Sequence, residues 1–267
     1  MNNYTKKPDL MKASIKIVLL IIGLLLAFAQ PSNAQKFIKI DELLKLNSQA
    51  MKVKRKGAGG VGKYEFGPYK VISGKGGWET TTSKSPFFSD NTSMESSSKK
   101  SFVFVNDRAD TSVANIRVAE NVEIDEGSWF FRTFTDWSVT EVQKAEGVFE
   151  TVFSFSADTT LWSLVVIYPT AVEIDGMYQS DDQTEFRGLL TDNHTFIEIS
   201  VITENEDGKR PLLNPFLGYE FWQGTKSLAA VQAMPLNKWY VWIQNDLDPQ
   251  LKFVLASAAT AMLVKTF

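Results

Sequence analysis

Residues 245–267 read NDLDPQLKFVLASAATAMLVKTF, and this stretch decides how the rest of the chain must fold. Asp248 is placed to cap a helix whose first position is Pro249. A carboxylate there accepts the free N–H groups of the first turn, and proline has no N–H to lose. The pattern predicts a helix over 249–265. Between Phe253 and Val264 no residue carries a charge. A helix that is apolar on every side has to be buried on every side. Its uncharged part rises only about 18 Å at 1.5 Å per residue, short of the hydrocarbon core of a bilayer. Ala256, Ser257, Ala258, Ala259, Thr260 and Ala261 are small, so surrounding backbone can come close. A helix threaded through a β-barrel meets all of these demands.

The chain ahead of the helix supplies strands. KYEFGPYKVIS (63–73), SFVFVN (101–106), SVANIRV (112–118), WFFRTF (129–134), VFETVFSF (148–155) and LWSLVVIY (161–168) are rich in aromatic and β-branched residues. EFRGLL (185–190), TFIEISVIT (195–203), GYEFW (218–222), SLAAVQ (227–232) and WYVWIQ (239–244) continue the series. Turn residues separate several of them: Asp175-Gly176, Asp192-Asn193, Asp207-Gly208 and Gly224. Short strands at this spacing predict a mostly β domain, an antiparallel barrel or sandwich. In WYVWIQ, Trp239 and Val241 share one face and Tyr240 and Trp242 the other.

The hairpin GYEFWQGTKSLAAVQ (218–232), the strand and turn WYVWIQNDLD (239–248) and the terminal small-residue helix resemble the tubby-like fold. The resemblance is closest to its scramblase and LURP-one branches, and covers residues 185–267. It implies a closed barrel of about twelve strands around a hydrophobic C-terminal helix. Members of that group are linked to membranes or phosphoinositides and are typically intracellular. This chain departs from them in reading as exported and acidic, and no dense basic patch stands within its strands.

The export reading comes from the other end. Lys6, Lys7, Lys12 and Lys16 precede an apolar run from Ile17 to Ala29, followed by Pro31 and Ser32-Asn33-Ala34. That order matches a signal peptide cleaved near Ala34. An uncharged run of thirteen residues is too short for an anchor, which needs about 20. Cleavage takes four lysines and one aspartate with it. It leaves 24 of 28 basic and 30 of 31 acidic residues, a formal charge of −6. An acidic surface repels phosphate backbones, so nucleic acid is not an expected partner. With no cysteine in the chain, disulfide and thiolate chemistry are excluded.

The expected organisation is therefore a signal peptide over 1–34, an N-terminal helix and flexible basic and glycine-rich tether over 35–62, and a barrel over 63–267. Within the second part, IKIDELLKL (38–46) suits a short amphipathic helix begun by Asp41, followed by the basic cluster KVKRK (52–56) and a joint at Gly57–Gly62. Segment 74–100, dominated by Ser, Thr, Gly and Lys around Trp78, Phe87 and Phe88, is expected to be a long mobile loop. A lid over a ligand is the alternative.

No chemical motif survives close reading. Gly57-Ala58-Gly59-Gly60-Val61-Gly62-Lys63 satisfies GxxxxGK, but Tyr64 stands where Ser or Thr should reach magnesium. Strand-like residues also follow where a helix is required. His194, the only histidine, sits in a turn, and no nucleophile elbow accompanies it. The clusters Glu123-Asp125-Glu126, Asp181-Asp182, Glu204-Glu206-Asp207 and Asp246-Asp248 fall in expected turns. Catalytic, cofactor-binding and metal-binding residues are each expected to be none. The sequence thus predicts an exported, periplasmic or extracellular, non-enzymatic barrel associated with a lipid or envelope surface. A carbohydrate-binding or adhesion module is the first alternative, resting on the tryptophans. A carboxylate-pair glycoside hydrolase is the second.

Overall fold

The structure, a computed structural model, describes residues 37–57, 61–77, 79–84, 93–120, 146–169, 171–174, 177–180, 186–210, 216–234 and 238–265. The export signal (1–34), WFFRTF (129–134), Trp78, Phe87, Phe88, residues 58–60 of the glycine-rich joint and the clusters at 123–126 and 181–182 lie outside these residues.

Sixteen strands and two helices are described. The strands are β1 Met51–Lys52, β2 Lys54–Lys56, β3 Lys63–Phe66, β4 Tyr69–Lys75, β5 Glu79–Lys84, β6 Ser93–Val105, β7 Thr111–Glu120 and β8 Glu146–Phe155. Then come β9 Asp158–Pro169, β10 Ala171–Ile174, β11 Met177–Ser180, β12 Arg187–Thr191, β13 Phe196–Ile202, β14 Gly218–Gln223, β15 Lys226–Gln232 and β16 Tyr240–Ile243. The helices are α1 Glu42–Leu46 and α2 Pro249–Lys265. One sheet runs β1-β16-β15-β14-β13-β12-β9-β8-β7-β6-β4-β3-β2, with β5 also on β6, and β10–β11 form a separate hairpin. All its pairings are antiparallel.

The two ends of this order are neighbours in sequence. β1 pairs with β16, β2 pairs with β3, and only Val53 separates β1 from β2. The Val53 N–H donates to the Trp239 carbonyl at 2.9 Å and carries the ladder across the gap. One segment, 51–56, thus joins both margins of the sheet and makes a nearly closed barrel, the arrangement that leaves least edge exposed. Here the sequence reading is corrected. KVKRK belongs to the wall rather than to a tether, so the barrel begins at Met51 and not at Lys63. Lysine and arginine have low strand preference, and pairing with β3 and β16 overrides it.

Segment 37–50 is likewise docked. Ile38, Ile40 and Leu44 are buried against Ile202, Leu217, Ala230, Tyr240 and Trp242 on the outside of the wall. The helix within it is one turn, capped by Asp41, whose carboxylate accepts from the Leu43 and Leu44 N–H groups. Lys39 meets Glu204 at 3.0 Å, Lys45 meets Glu206 at 2.7 Å, and the Lys39 N–H reaches the Glu204 carbonyl at 2.9 Å. The acidic turn at 204–207 therefore serves to hold this strap.

Glu220 anchors the same strap from the wall. Its carboxylate accepts from the Asp41 N–H at 2.9 Å and the Ser227 hydroxyl at 2.7 Å. Burial pushes its pKa up, and the two hydrogen bonds only partly oppose that. The folded protein therefore binds this proton more readily than the unfolded chain. This group's contribution to stability is fully present below the ordinary 4.5 and is lost as pH rises through the raised value. Glu220→Gln keeps the accepting oxygen and removes the charge. It is expected to raise the melting temperature at pH 7 by about 2–4 °C per kcal/mol recovered, and to remove this group's loss of stability as pH rises above the ordinary 4.5. Glu220→Ala leaves two donors without an acceptor and is expected to destabilise by about 1–3 kcal/mol. Thermal melts of both variants across pH check this.

Helix α2 fills the barrel as its sequence demands. Every residue from Phe253 to Val264 is buried. The Ser257 and Thr260 hydroxyls donate to the Phe253 and Ala256 carbonyls, each at 2.9 Å, so neither is left unpaired in the core. Asp248 accepts from the Gln250 N–H at 2.8 Å, in the capping role its position predicts. At the entering end, Phe253 stacks on Tyr69 and Phe104 and meets Phe155 edge-on, with ring centroids 5.6–6.2 Å apart. At the far end the Lys265 ammonium lies 3.6 Å from the centre of the Tyr168 ring.

Within segment 74–100 the described parts are the second correction. Rather than loop, residues 74–75, 79–84 and 93–100 are strand: β4 and β5 run in the same sense along β6, with Lys75 opposite Ser101 and Glu79 opposite Ser98. Residues 78 and 85–92 lie outside the described residues. The Thr and Ser composition that reads as solvated loop also suits a ladder with little to bury. Gly77 is required there: a Cβ on it would collide with the Lys99 carbonyl oxygen.

Candidate functional site

The filled interior directs attention outward. On β6, Phe102 and Phe104 point into the core, so Lys99, Ser101 and Val103 face out. On β7, Ala114 and Ile116 point in, and Val113, Asn115 and Arg117 face out. On β8, Phe149 and Phe153 point in, leaving Glu150 and Val152 on the outer side. Lys99 lies opposite Arg117, and Arg117 opposite Glu150. These rungs meet Lys75, Gly76 and Gly77 to form a groove of about 450 Å³. Lys100 and Ile116, opposite each other on the inward-facing positions, border it without turning their side chains outward.

Three outward cations (Lys75, Lys99 and Arg117) and one carboxylate, Glu150, line this groove. Among the described residues none of the three cations closes to ion-pair distance with a carboxylate. Burial pushes the Glu150 pKa up, and the Arg117 charge partly offsets this. In a chain with net negative charge, this is a local positive field. Ser101 and Asn115 add polar groups to the lining, while Val152 adds apolar surface.

Further along the same wall lie four apolar side chains, interrupted on β8 by the exposed Ser154 opposite Val113. Ile72, Val113 and Leu161 are each 38–46% exposed, and Val103 is opposite Val113 and partly exposed. They lie on β4, β7, β9 and β6, roughly four residues, or about 13 Å, along the strands from the cations.

The residues singled out in the sequence are elsewhere. His194 is exposed in the β12–β13 turn; its N–H and that of Thr195 donate to the Asp192 carboxylate, and Asn193 has a φ of 75°. Asp246 pairs with Lys226 at 3.4 Å, Asp207 with Lys209 at 3.6 Å, and Asp248 caps α2. The GxxxxGK stretch connects β2 to β3, two antiparallel strands, so its lysine opens a strand and not a helix. Trp239, Tyr240 and Trp242 are all buried: Trp239 faces α2, and Tyr240 and Trp242 lie under the strap. These three therefore offer no exposed sugar platform; Trp78, Trp129 and Trp137 lie outside the described residues. A second groove, of about 570 Å³, is lined by Glu65, Tyr69, Lys70, Asn106 and Asp107. Its Glu65 faces Lys56 at 3.8 Å. Among the described residues, no group of three or more His, Asp or Glu gathers as for a metal, and no helix is long and apolar enough to cross a membrane.

Sequence reading missed the groove because its cations are spread over 43 positions, from Lys75 to Arg117. Only the β4–β6–β7 register brings them together. The outward parity of Lys99 and Arg117 against buried Phe102 and Ile116 was the one signal available. Fold and groove together define a nearly closed antiparallel barrel, built around an apolar C-terminal helix, with a cationic groove on its outer wall. No protein-family model, curated protein or solved structure matches the chain.

Proposed function

We propose that this is an exported, non-catalytic barrel that associates with an anionic lipid or envelope surface through the outer wall of β4, β6, β7, β8 and β9. The observation that carries this reading is the presence of a cation cluster and exposed apolar side chains on one wall of an otherwise acidic protein. Basic side chains near an anionic membrane contribute about 1 kcal/mol each, and shallow insertion of apolar side chains adds to that. Occupation of the interior by α2 agrees with a role carried on the surface, and the tubby-like resemblance, whose members are linked to membranes, points the same way.

Co-sedimentation of the exported protein with vesicles tests the reading. Binding is expected with vesicles rich in phosphatidylglycerol, to weaken with added salt, and to be absent with phosphatidylcholine alone. The double substitution Lys99→Glu/Arg117→Glu is expected to weaken binding at least about tenfold without altering the melt. Equal binding to neutral and anionic vesicles, or by the double variant, would overturn it.

A further inference from the structure

The groove contains its own competitor for anions. Glu150 stands opposite Arg117 on the β7–β8 ladder and is half-buried beside Val152, with Val165 opposite it on β9. The charged groups lining this groove are Lys75, Lys99 and Lys100 from β4 and β6, Arg117 from β7, and Glu150 from β8. From β9 the directly opposed residue is apolar. A single negative charge thus shares the outward side with three positive ones, Lys75, Lys99 and Arg117, and it is the only lining group that can be neutralised by mild acid.

We infer that Glu150 sets the affinity of this groove for oxyanions: ionised, it offsets the field of Arg117 and Lys99; protonated, it leaves that field to an incoming anion. The inference rests on the surface-association reading for its biological setting, with the anionic headgroups of the envelope as occupant. The groove chemistry itself stands on the register and the lining. Three features favour a discrete site over a diffuse patch. The lining encloses a concavity of about 450 Å³ rather than a flat wall. Gly77 lies so close to β6 that a Cβ on it would collide with the Lys99 carbonyl oxygen, so the backbone itself forms that side of the groove. The cations converge from three strands and make no ion pair with the described carboxylates. Burial favours the protonated form of Glu150 and raises its pKa, partly offset by Arg117.

Binding of inorganic sulfate and of phosphatidylglycerol vesicles is measured for the exported protein, Glu150→Gln and Asp246→Asn between about pH 7.5 and 5. Sulfate stays doubly charged over this range, so any pH dependence belongs to the protein. Sulfate binding to the wild-type protein is expected to tighten several-fold on acidification. Glu150→Gln is expected to bind several-fold more tightly at the upper end of the range and to lose most of the pH dependence. Asp246→Asn, which removes one exposed negative charge outside the groove, is expected to behave as wild type. If Glu150→Gln retains the wild-type slope, or if Asp246→Asn matches its gain, the inference is overturned. If sulfate binding follows these expectations while vesicles are not bound at any pH, the groove inference holds and the envelope reading fails. Failure of both sulfate and vesicle binding rejects both.

Discussion

Removal of residues 249–267 is expected to abolish cooperative folding. The twelve consecutive buried residues of α2 fill the space that faces Phe102, Phe104, Phe149, Phe153, Leu164 and Val166 across the wall. At about 1–3 kcal/mol per large apolar side chain buried, the helix and the faces it covers exceed the roughly 5–15 kcal/mol by which a domain is stable. The wall cannot collapse to compensate, since its strand pairings fix its radius. The truncated chain should give no near-ultraviolet circular dichroism, bind a hydrophobic dye and aggregate on concentration. A sharp calorimetric transition in that truncation would show that α2 is dispensable and that the wall holds itself.

The second large effect is expected from Phe253→Ala. Phe253 is the residue by which the helix engages the aromatic cluster, its ring centroid lying within 6.2 Å of those of Tyr69, Phe104 and Phe155. The substitution removes the ring's burial and leaves a cavity between three rigid partners that cannot move in to fill it. A cost of about 3–5 kcal/mol is expected, which lowers the melting temperature by about 10 °C or more. Leu251→Ala, two residues earlier and only partly buried, should cost far less. Chemical denaturation of both variants checks the ranking. Equal losses would mean that the aromatic cluster does not anchor the helix. Both variants should leave vesicle binding intact at temperatures where they are folded, because neither residue reaches the outer wall.

The strap and the groove each hold one carboxylate that burial shifts in the same direction. Glu220 and Glu150 are both held by burial above the usual carboxylate range. Falling pH therefore relieves a buried charge beneath the strap and another inside the groove. Glu204 has the opposite bias: Lys39 and Arg210 hold its carboxyl below the usual range, so its ion pairs persist until more acidic conditions. Mild acidification is thus expected to leave the strap docked while the groove changes its charge.

The C-terminal helix was legible from sequence because its instruction is local. An Asp-Pro start and an uncharged small-residue run admit one kind of environment, and α2 occupies it. The inward faces of most strands were legible for a related reason: alternation in SFVFVN or VFETVFSF is a property of successive residues. Three things were decided only by tertiary pairing. KVKRK has the composition of a tether, and it became wall because the sheet's two margins needed one segment to join them. Residues 79–84 and 93–100 have the composition of a loop, and they became strand because β5 and β6 offer each other a ladder. Lys75, Lys99 and Arg117 each look like ordinary solvated positions in sequence. Their convergence depends on strand register, a long-range quantity that no local pattern of residues encodes.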